Sequence, residues 1–231
     1  MFFDFHYLIF MLPAIIVAGA ATIYTKMTFS KYSKVRSASG YTGAQAAREM
    51  LESQGVNDVA IESVDGFLSD HYDPSSKTLR LSPEVYGSNS LSAIGVACHE
   101  AGHALQHARH YAPLMLRTTL VPAAQVGSWG SYIVLMLGFW IGSLGFIKLG
   151  ILLFSLTVVF SIITLPVEWN ASARAKALMT TSGIVSFDER LMAGRVLNAA
   201  FLTYVAAVFT SLMTLLYYLL RSGLLGGRRN D

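Results

Sequence analysis

Residues 91–110 read LSAIGVACHEAGHALQHARH, and the fold depends on whether this stretch crosses a membrane or belongs to a water-facing domain. Ser90 is an N-cap residue type, apolar positions follow at helical spacing, and Pro113 limits the other end, so a helix is expected. Residues 97–110 hold four of the chain's six histidines, with Glu100 beside the first. Ser92, Gln106 and Arg109 add further groups that hydrocarbon cannot satisfy. The helix is therefore assigned to a polar domain, and membrane spans are sought on either side of it.

The chain has 231 residues, 53% of them hydrophobic and only 13% charged, more apolar than a soluble domain of this length needs. Four runs carry the excess: 7–24 (YLIFMLPAIIVAGAATIY), 130–147 (GSYIVLMLGFWIGSLGFI), 149–166 (LGILLFSLTVVFSIITLP) and 197–220 (LNAAFLTYVAAVFTSLMTLLYYLL). Each approaches the roughly 20 residues that cross about 30 Å of hydrocarbon, and none contains a charge. Four transmembrane helices are expected, with Lys148 alone separating the second from the third in a tight hairpin. AGAAT at 18–22 looks like a signal-peptide cleavage site, but Asp4, not a basic residue, precedes the apolar core, so an uncleaved anchor is expected. The single cysteine, Cys98, excludes an internal disulfide and agrees with a reducing compartment. The net charge of +3 comes from Lys and Arg near helix ends, without the aromatic and basic interleaving of a nucleic-acid surface. The expected partners are a lipid bilayer and no nucleic acid; oligomeric state is not readable.

Between the spans, YTGAQAAREMLESQG (41–55) has a Thr42 cap, helical spacing and a terminal Gly55, which predict a short amphipathic helix. NDVAIESV, GFLSDHYDP and KTLRLSP, broken at Asp65-Gly66 and at Pro74-Ser75-Ser76, predict two or three short strands with tight turns. EWNASARAKALMT (168–180) is expected to continue the third membrane helix until Gly183 breaks it. The resulting division is a first transmembrane helix in 1–25, a polar domain in 26–118, a transmembrane hairpin in 119–167, a helix and polar segment in 168–196, and a fourth transmembrane helix with its tail in 197–231.

His99 and His103 are four apart, so on a helix their rings point the same way about 5.4 Å apart and can reach one ion. With Glu100 between them they form H-E-A-G-H, in which two histidines hold Zn²⁺ and the glutamate takes a proton from water. A buried helix with satisfied polar groups is the plainer alternative, but such a helix gains little from three polar side chains on its inner side. His107 lies about 12 Å along the axis from His99, too far for the same ion, and His110 at the helix end suits the terminal carbonyls or lipid headgroups. A catalytic zinc wants three protein ligands and an open position. The third could come from His6, His71 or a carboxylate. Glu168 stands out at the mouth of a membrane helix, where it could equally be an interfacial glutamate facing water.

The combination DHYDP (70–74) with LRLSPEVY (79–86), GVACHEAGHALQH (95–107) and LPVEWNASARA (165–175) resembles the YugP-like neutral zinc metallopeptidases, membrane proteins distantly similar to the HtpX-type and CAAX prenyl protease families. The resemblance implies a mainly α membrane protein whose four transmembrane helices carry a small α+β gluzincin-like metalloprotease domain with an HExxH helix. It implies zinc bound by His99, His103 and Glu168, with Glu100 as general base. One departure is visible: HtpX-like enzymes carry aspartate four residues after the ligand glutamate, where this chain has Ser172, and Asn170 or Arg174 could serve in its place.

The expected activity is a membrane-embedded zinc endopeptidase acting on membrane or membrane-proximal proteins, with His71 and Tyr72 as catalytic donors to the carbonyl oxygen that gains charge, although Asp70, Tyr72 and Asp73 with Pro74 could equally be turn chemistry. Two other classes compete with it: a site-2-like intramembrane protease, and a non-enzymatic scaffold with a structural zinc, which would need a fourth protein ligand. Two crossings separate His99 and His103 from Glu168, so the three share a side of the membrane. Lys26, Lys31, Lys34, Arg36, Arg174, Lys176, Arg190 and Arg195 lie on it, and Lys148, Arg221, Arg228 and Arg229 opposite. The positive-inside rule makes the shared side cytoplasmic in a multi-pass protein of the cell membrane, with the Asp4 end outside.

Overall fold

In a computed structural model the chain is described over residues 5–66 and 69–225, with side chains from Tyr7 onward. The expectations resting on Asp4, the His6 side chain, Arg228 and Arg229 lie outside the described residues, as do Phe67 and Leu68 of the middle strand segment. The protein is mainly helical, and the described residues contain four helices long and apolar enough to cross a membrane. They are α1 (Phe5–Tyr32), α5 (Ala112–Trp140), α6 (Leu144–Thr181) and α7 (Phe187–Arg221). Packing divides the described residues into two units, one drawn from 5–20, 116–165 and 203–225, the other from 21–66, 69–115 and 166–202.

The second unit holds the polar segments. Thr42 caps α2 (Gly43–Glu52) through a capping box in which its hydroxyl accepts from the Gln45 backbone while the Gln45 side chain accepts from the Thr42 backbone. Strands β1 (Ala60–Ser63), β2 (His71–Asp73) and β3 (Thr78–Leu81) form a sheet of order β1-β3-β2, with β1 parallel and β2 antiparallel to β3. The β2–β3 turn is built by Asp73, whose carboxylate accepts from Ser75, Ser76 and Arg80. A single turn, α3 (Pro83–Tyr86), leads to Ser90, whose hydroxyl accepts from Ala93 and starts α4 (Leu91–Ala108) as its sequence requires. Met50, Leu51, Leu79, Leu81, Leu91, Ile94, Leu105, Met179 and Ile184 bury themselves around α4, each contributing about 1.5–3 kcal/mol. This shell fixes α4 against the C-terminal part of α6.

In the first unit the hairpin turns at Ile141–Gly142–Ser143 and not at Lys148, which lies inside α6. Gly142 adopts φ +69°, a left-handed conformation that ends a helix, and the Ser143 N–H reaches back to the Gly138 carbonyl. The uninterrupted apolarity of 130–147 masks this turn, because lipid tolerates small residues there. The hairpin helices also pack closely, since a Cβ on Gly138 would stand 2.8 Å from the Ile147 nitrogen.

Candidate metal centre

Helix α4 presents His99 and His103 one turn apart, with ring centroids separated by 4.8 Å. Helix α6, which enters this unit at Pro166, presents Glu168 to both rings. One carboxylate oxygen, Oε2, lies 3.2 Å from His99 Nε2 and 3.5 Å from His103 Nε2. A ligand atom from each of the three residues falls within 4.8 Å of the others, a separation one ion can bridge. Glu168 is buried in a segment that the sequence makes the mouth of a membrane helix, and two imidazoles are what meet it there.

Both rings are held from behind. His99 Nδ1 shares a hydrogen bond of 3.0 Å with the Ser172 hydroxyl, and His103 Nδ1 faces Gln106 Oε1 at 3.0 Å. Ser172 thus takes the place expected of an aspartate, whereas Asn170 and Arg174 engage Gln106 and each other. With both Nδ1 atoms occupied by protein groups, the Nε2 atoms are the ones turned to the carboxylate. Two imidazole nitrogens and one carboxylate oxygen form a donor set that zinc accepts.

The approach of α4 to α6 depends on Gly102. A Cβ there would stand 2.7 Å from the Ala171 carbonyl oxygen, so the residue just before His103 has to be glycine for the two helices to meet this closely. Glu100 is half-buried on α4, and burial pushes its carboxyl above the usual range against the pull of His99 and His103. Burial also draws the His103 ring towards neutrality, but hydrogen bonding to Glu168 and the charge of Glu100 more than offset this and raise its pKa. Cys98, next to His99, is fully buried with its thiol pushed up to about 12, a chemically quiet core residue.

The remaining sequence candidates fall elsewhere. His71 is exposed and its Nδ1 bonds to the Ser69 carbonyl, while the Tyr72 hydroxyl lies 2.9 Å from Nδ1 of His107. His107, one turn beyond His103, is outside the three-residue group, and a cavity of about 430 Å³ lined by Val56, Val59, Tyr72, Ala104, His107 and His110 opens beside it. Asp70 accepts from the Ser82 backbone and hydroxyl, so with Asp73 it belongs to local loop structure. Sequence reasoning missed Gln106, whose position three residues after His103 on one helix was the available signal.

Residues 7–223 match the family described as "Putative neutral zinc metallopeptidase". The chain belongs to this family. A relative from Bacillus subtilis (strain 168), named "Putative membrane protease YugP", is 47% identical over 200 residues, covering 87% of this chain and 89% of the relative. No solved structure matches the chain. Family membership brings zinc as the cofactor, and the donors gathered on α4 and α6 suit it. The family's membrane relative and the four apolar helices make this a multi-pass membrane protein.

Proposed function

We propose that the protein is a zinc-dependent endopeptidase that cuts membrane or membrane-proximal proteins close to the bilayer surface, on a gluzincin-like site in which His99 and His103 of an HExxH helix and Glu168 of α6 hold the metal. The observation that carries this reading is the convergence of both Nε2 atoms on one buried Glu168 oxygen. When bound, zinc polarises the scissile carbonyl and lowers the pKa of water towards ~7.

The chain's own residues do the rest. Glu100, the carboxylate between the two histidines that is not in the ligand group, takes the proton of the attacking water as the new C–O bond forms. It passes that proton to the amine as the C–N bond breaks. Burial raises its pKa, the direction expected of a carboxylate that takes up a proton. Tyr72 and His71 are assigned to stabilise the oxygen that gains charge. Tyr72 is the better placed, its hydroxyl reaching α4 one turn past His103, whereas His71 turns to Ser69. Their strand, β2, lies at the sheet edge, which favours a substrate bound in extended form.

Three observations favour a site at the surface over one within the bilayer or a structural zinc. Helix α4 is not among the apolar spans and packs in the same core as the sheet. Helix α6 has 38 residues, about 57 Å, more than a hydrocarbon core of about 30 Å requires. Among the described residues the ligand group has three members, short of the four that close a structural site. The distribution of Lys and Arg favours the cytoplasmic face of the cell membrane for the site. Impermeant maleimide on intact cells, with Cys98→Ser and single cysteines in place of Ser76 and Ser186, tests this: labelling of both from outside reverses it.

The deciding experiment is Glu100→Gln in purified protein. It should keep its zinc and lose about 10²–10⁴ in peptide cleavage, as removal of a general base does. Undiminished cleavage sinks the mechanism, and a wild-type protein that binds no zinc sinks the site.

A further inference from the structure

His103 must offer Nε2 as a lone pair to any ion held with Glu168, yet a neutral imidazole beside that carboxylate has every electrostatic reason to place its proton on Nε2 and donate it. Some other group has to impose the opposite tautomer. We propose that Gln106, itself oriented by Val167, Asn170 and Arg174, is the positioning residue that does so. The inference rests on the reading of His103 as a zinc ligand.

The Arg174 guanidinium can only donate, and its Nε lies 2.8 Å from Asn170 Oδ1, so that atom accepts. Gln106 Nε2 lies 3.0 Å from the same Oδ1 and 2.8 Å from the main-chain carbonyl oxygen of Val167, also an obligate acceptor. Turning the Gln106 amide over would set its oxygen against two oxygens with no proton between them. Gln106 is fully buried, so water cannot relieve that clash. Its Nε2 therefore donates twice, and its Oε1 is left facing His103 Nδ1 at 3.0 Å. An amide oxygen only accepts, so Nδ1 must carry the hydrogen, and in the neutral ring Nε2 is bare.

The other ligand histidine shows what is special here. His99 Nδ1 meets the Ser172 hydroxyl, which can donate or accept and so imposes no tautomer. The device therefore acts on one ring, reaching from Arg174 through Asn170 and Gln106 across two helices.

Long-range ¹H–¹⁵N NMR of the full chain, histidine-labelled, in detergent, stripped of metal and at alkaline pH, reads the tautomer directly. Zinc affinity by chelator competition gives the second readout. The wild type should show His103 with hydrogen on Nδ1. In Gln106→Leu the hydrogen should move to Nε2, with a loss of about 10- to 100-fold in zinc affinity while the His99 signals stay in place. Asn170→Leu, which leaves the Val167 carbonyl to orient the Gln106 amide, should move the hydrogen to Nε2 in only part of the population, with a smaller loss of affinity. Hydrogen on Nε2 of wild-type His103 overturns the inference, as does Gln106→Leu with unchanged tautomer and affinity. Should Gln106→Leu fail to fold, the wild-type spectrum and Asn170→Leu decide. A wild type that binds no zinc defeats the proposed function instead, and its tautomer still decides the inference.

Discussion

Gly102 on α4 lies against the Ala171 carbonyl of α6, while Gly150 on α6 lies against Leu135 of α5; a Cβ would stand 2.7 Å from its nearest neighbour at the first contact and 2.5 Å at the second. Both pairs of helices use an absent side chain to come close, but they bring different things together. At the α4–α6 contact the neighbours include His103, Gln106, Glu168 and Ser172, all buried. At the α5–α6 contact they are Leu135, Ile147 and Ile151. An apolar contact that loosens loses dispersion and little else, whereas a polar one that loosens strands charges and donors away from water. The site should therefore tolerate much less movement than the hairpin, although the same geometric device builds both.

Removing the central carboxylate tests the polar contact most severely. Glu168→Ala takes away the one oxygen that both rings face, and zinc affinity should fall by more than the roughly 10- to 100-fold that loss of an outer hydrogen-bond partner costs. Metal analysis of the purified variant checks this, and full zinc at wild-type affinity would remove Glu168 from the ligand set.

Gly102→Val should come next. Its Cβ meets a backbone carbonyl, which cannot swing aside, so α4 and α6 must separate. A stability loss of about 1–3 kcal/mol or more is expected, together with weakened zinc binding. Gly150→Ala supplies the contrast, because its Cβ would meet Leu135 Cγ at 2.5 Å and the Leu135 main-chain nitrogen at 3.0 Å, so these helices must also give way, but at an apolar contact. It should lower thermal stability by a similar or smaller amount and leave zinc affinity as in the wild type. Equal damage to zinc binding from both variants would refute the distinction between the contacts.

What the sequence revealed follows the same division. The Thr42 cap, the Ser90 cap, the paired histidines and the extension of α6 through Glu168 towards Gly183 are all local patterns, and they stand as expected. The hairpin turn was hidden because a membrane span hides its ends when the residues beyond are also apolar. Helix α7 begins at Phe187, well before its apolar run, and Ser186 with Glu189 forms the capping box that announces it: the Ser186 hydroxyl accepts from the Glu189 backbone and the Glu189 carboxylate from the Ser186 backbone. The contacts of Gln106 with Val167 and Asn170 join residues about sixty positions apart, which no local pattern encodes.

The smallest effect is expected where polar groups cluster in solvent, which sharpens the contrast with the buried cluster around Glu168. Asp73 is held well below the usual carboxylate range by hydrogen bonds from the Ser75 hydroxyl, the Arg80 guanidinium and Ser76. A carboxyl whose folded pKa is depressed stabilises the fold above its unfolded value of about 3.9 and loses that contribution as pH falls through that value towards the folded one. Asp73→Asn keeps a turn-forming side chain without the charge. It should therefore be slightly less stable than the wild type near neutrality, and the difference should close as pH falls below about 4. Water already screens these groups, so the gap at neutral pH should be small. Urea midpoints for both proteins, metal-free in detergent, at neutral and acid pH provide the measurement. A gap that widens on acidification would reverse the sign and show that Asp73 is not the group that loses stability there. A gap as large as that of Gly102→Val would show that the turn is part of the rigid core after all.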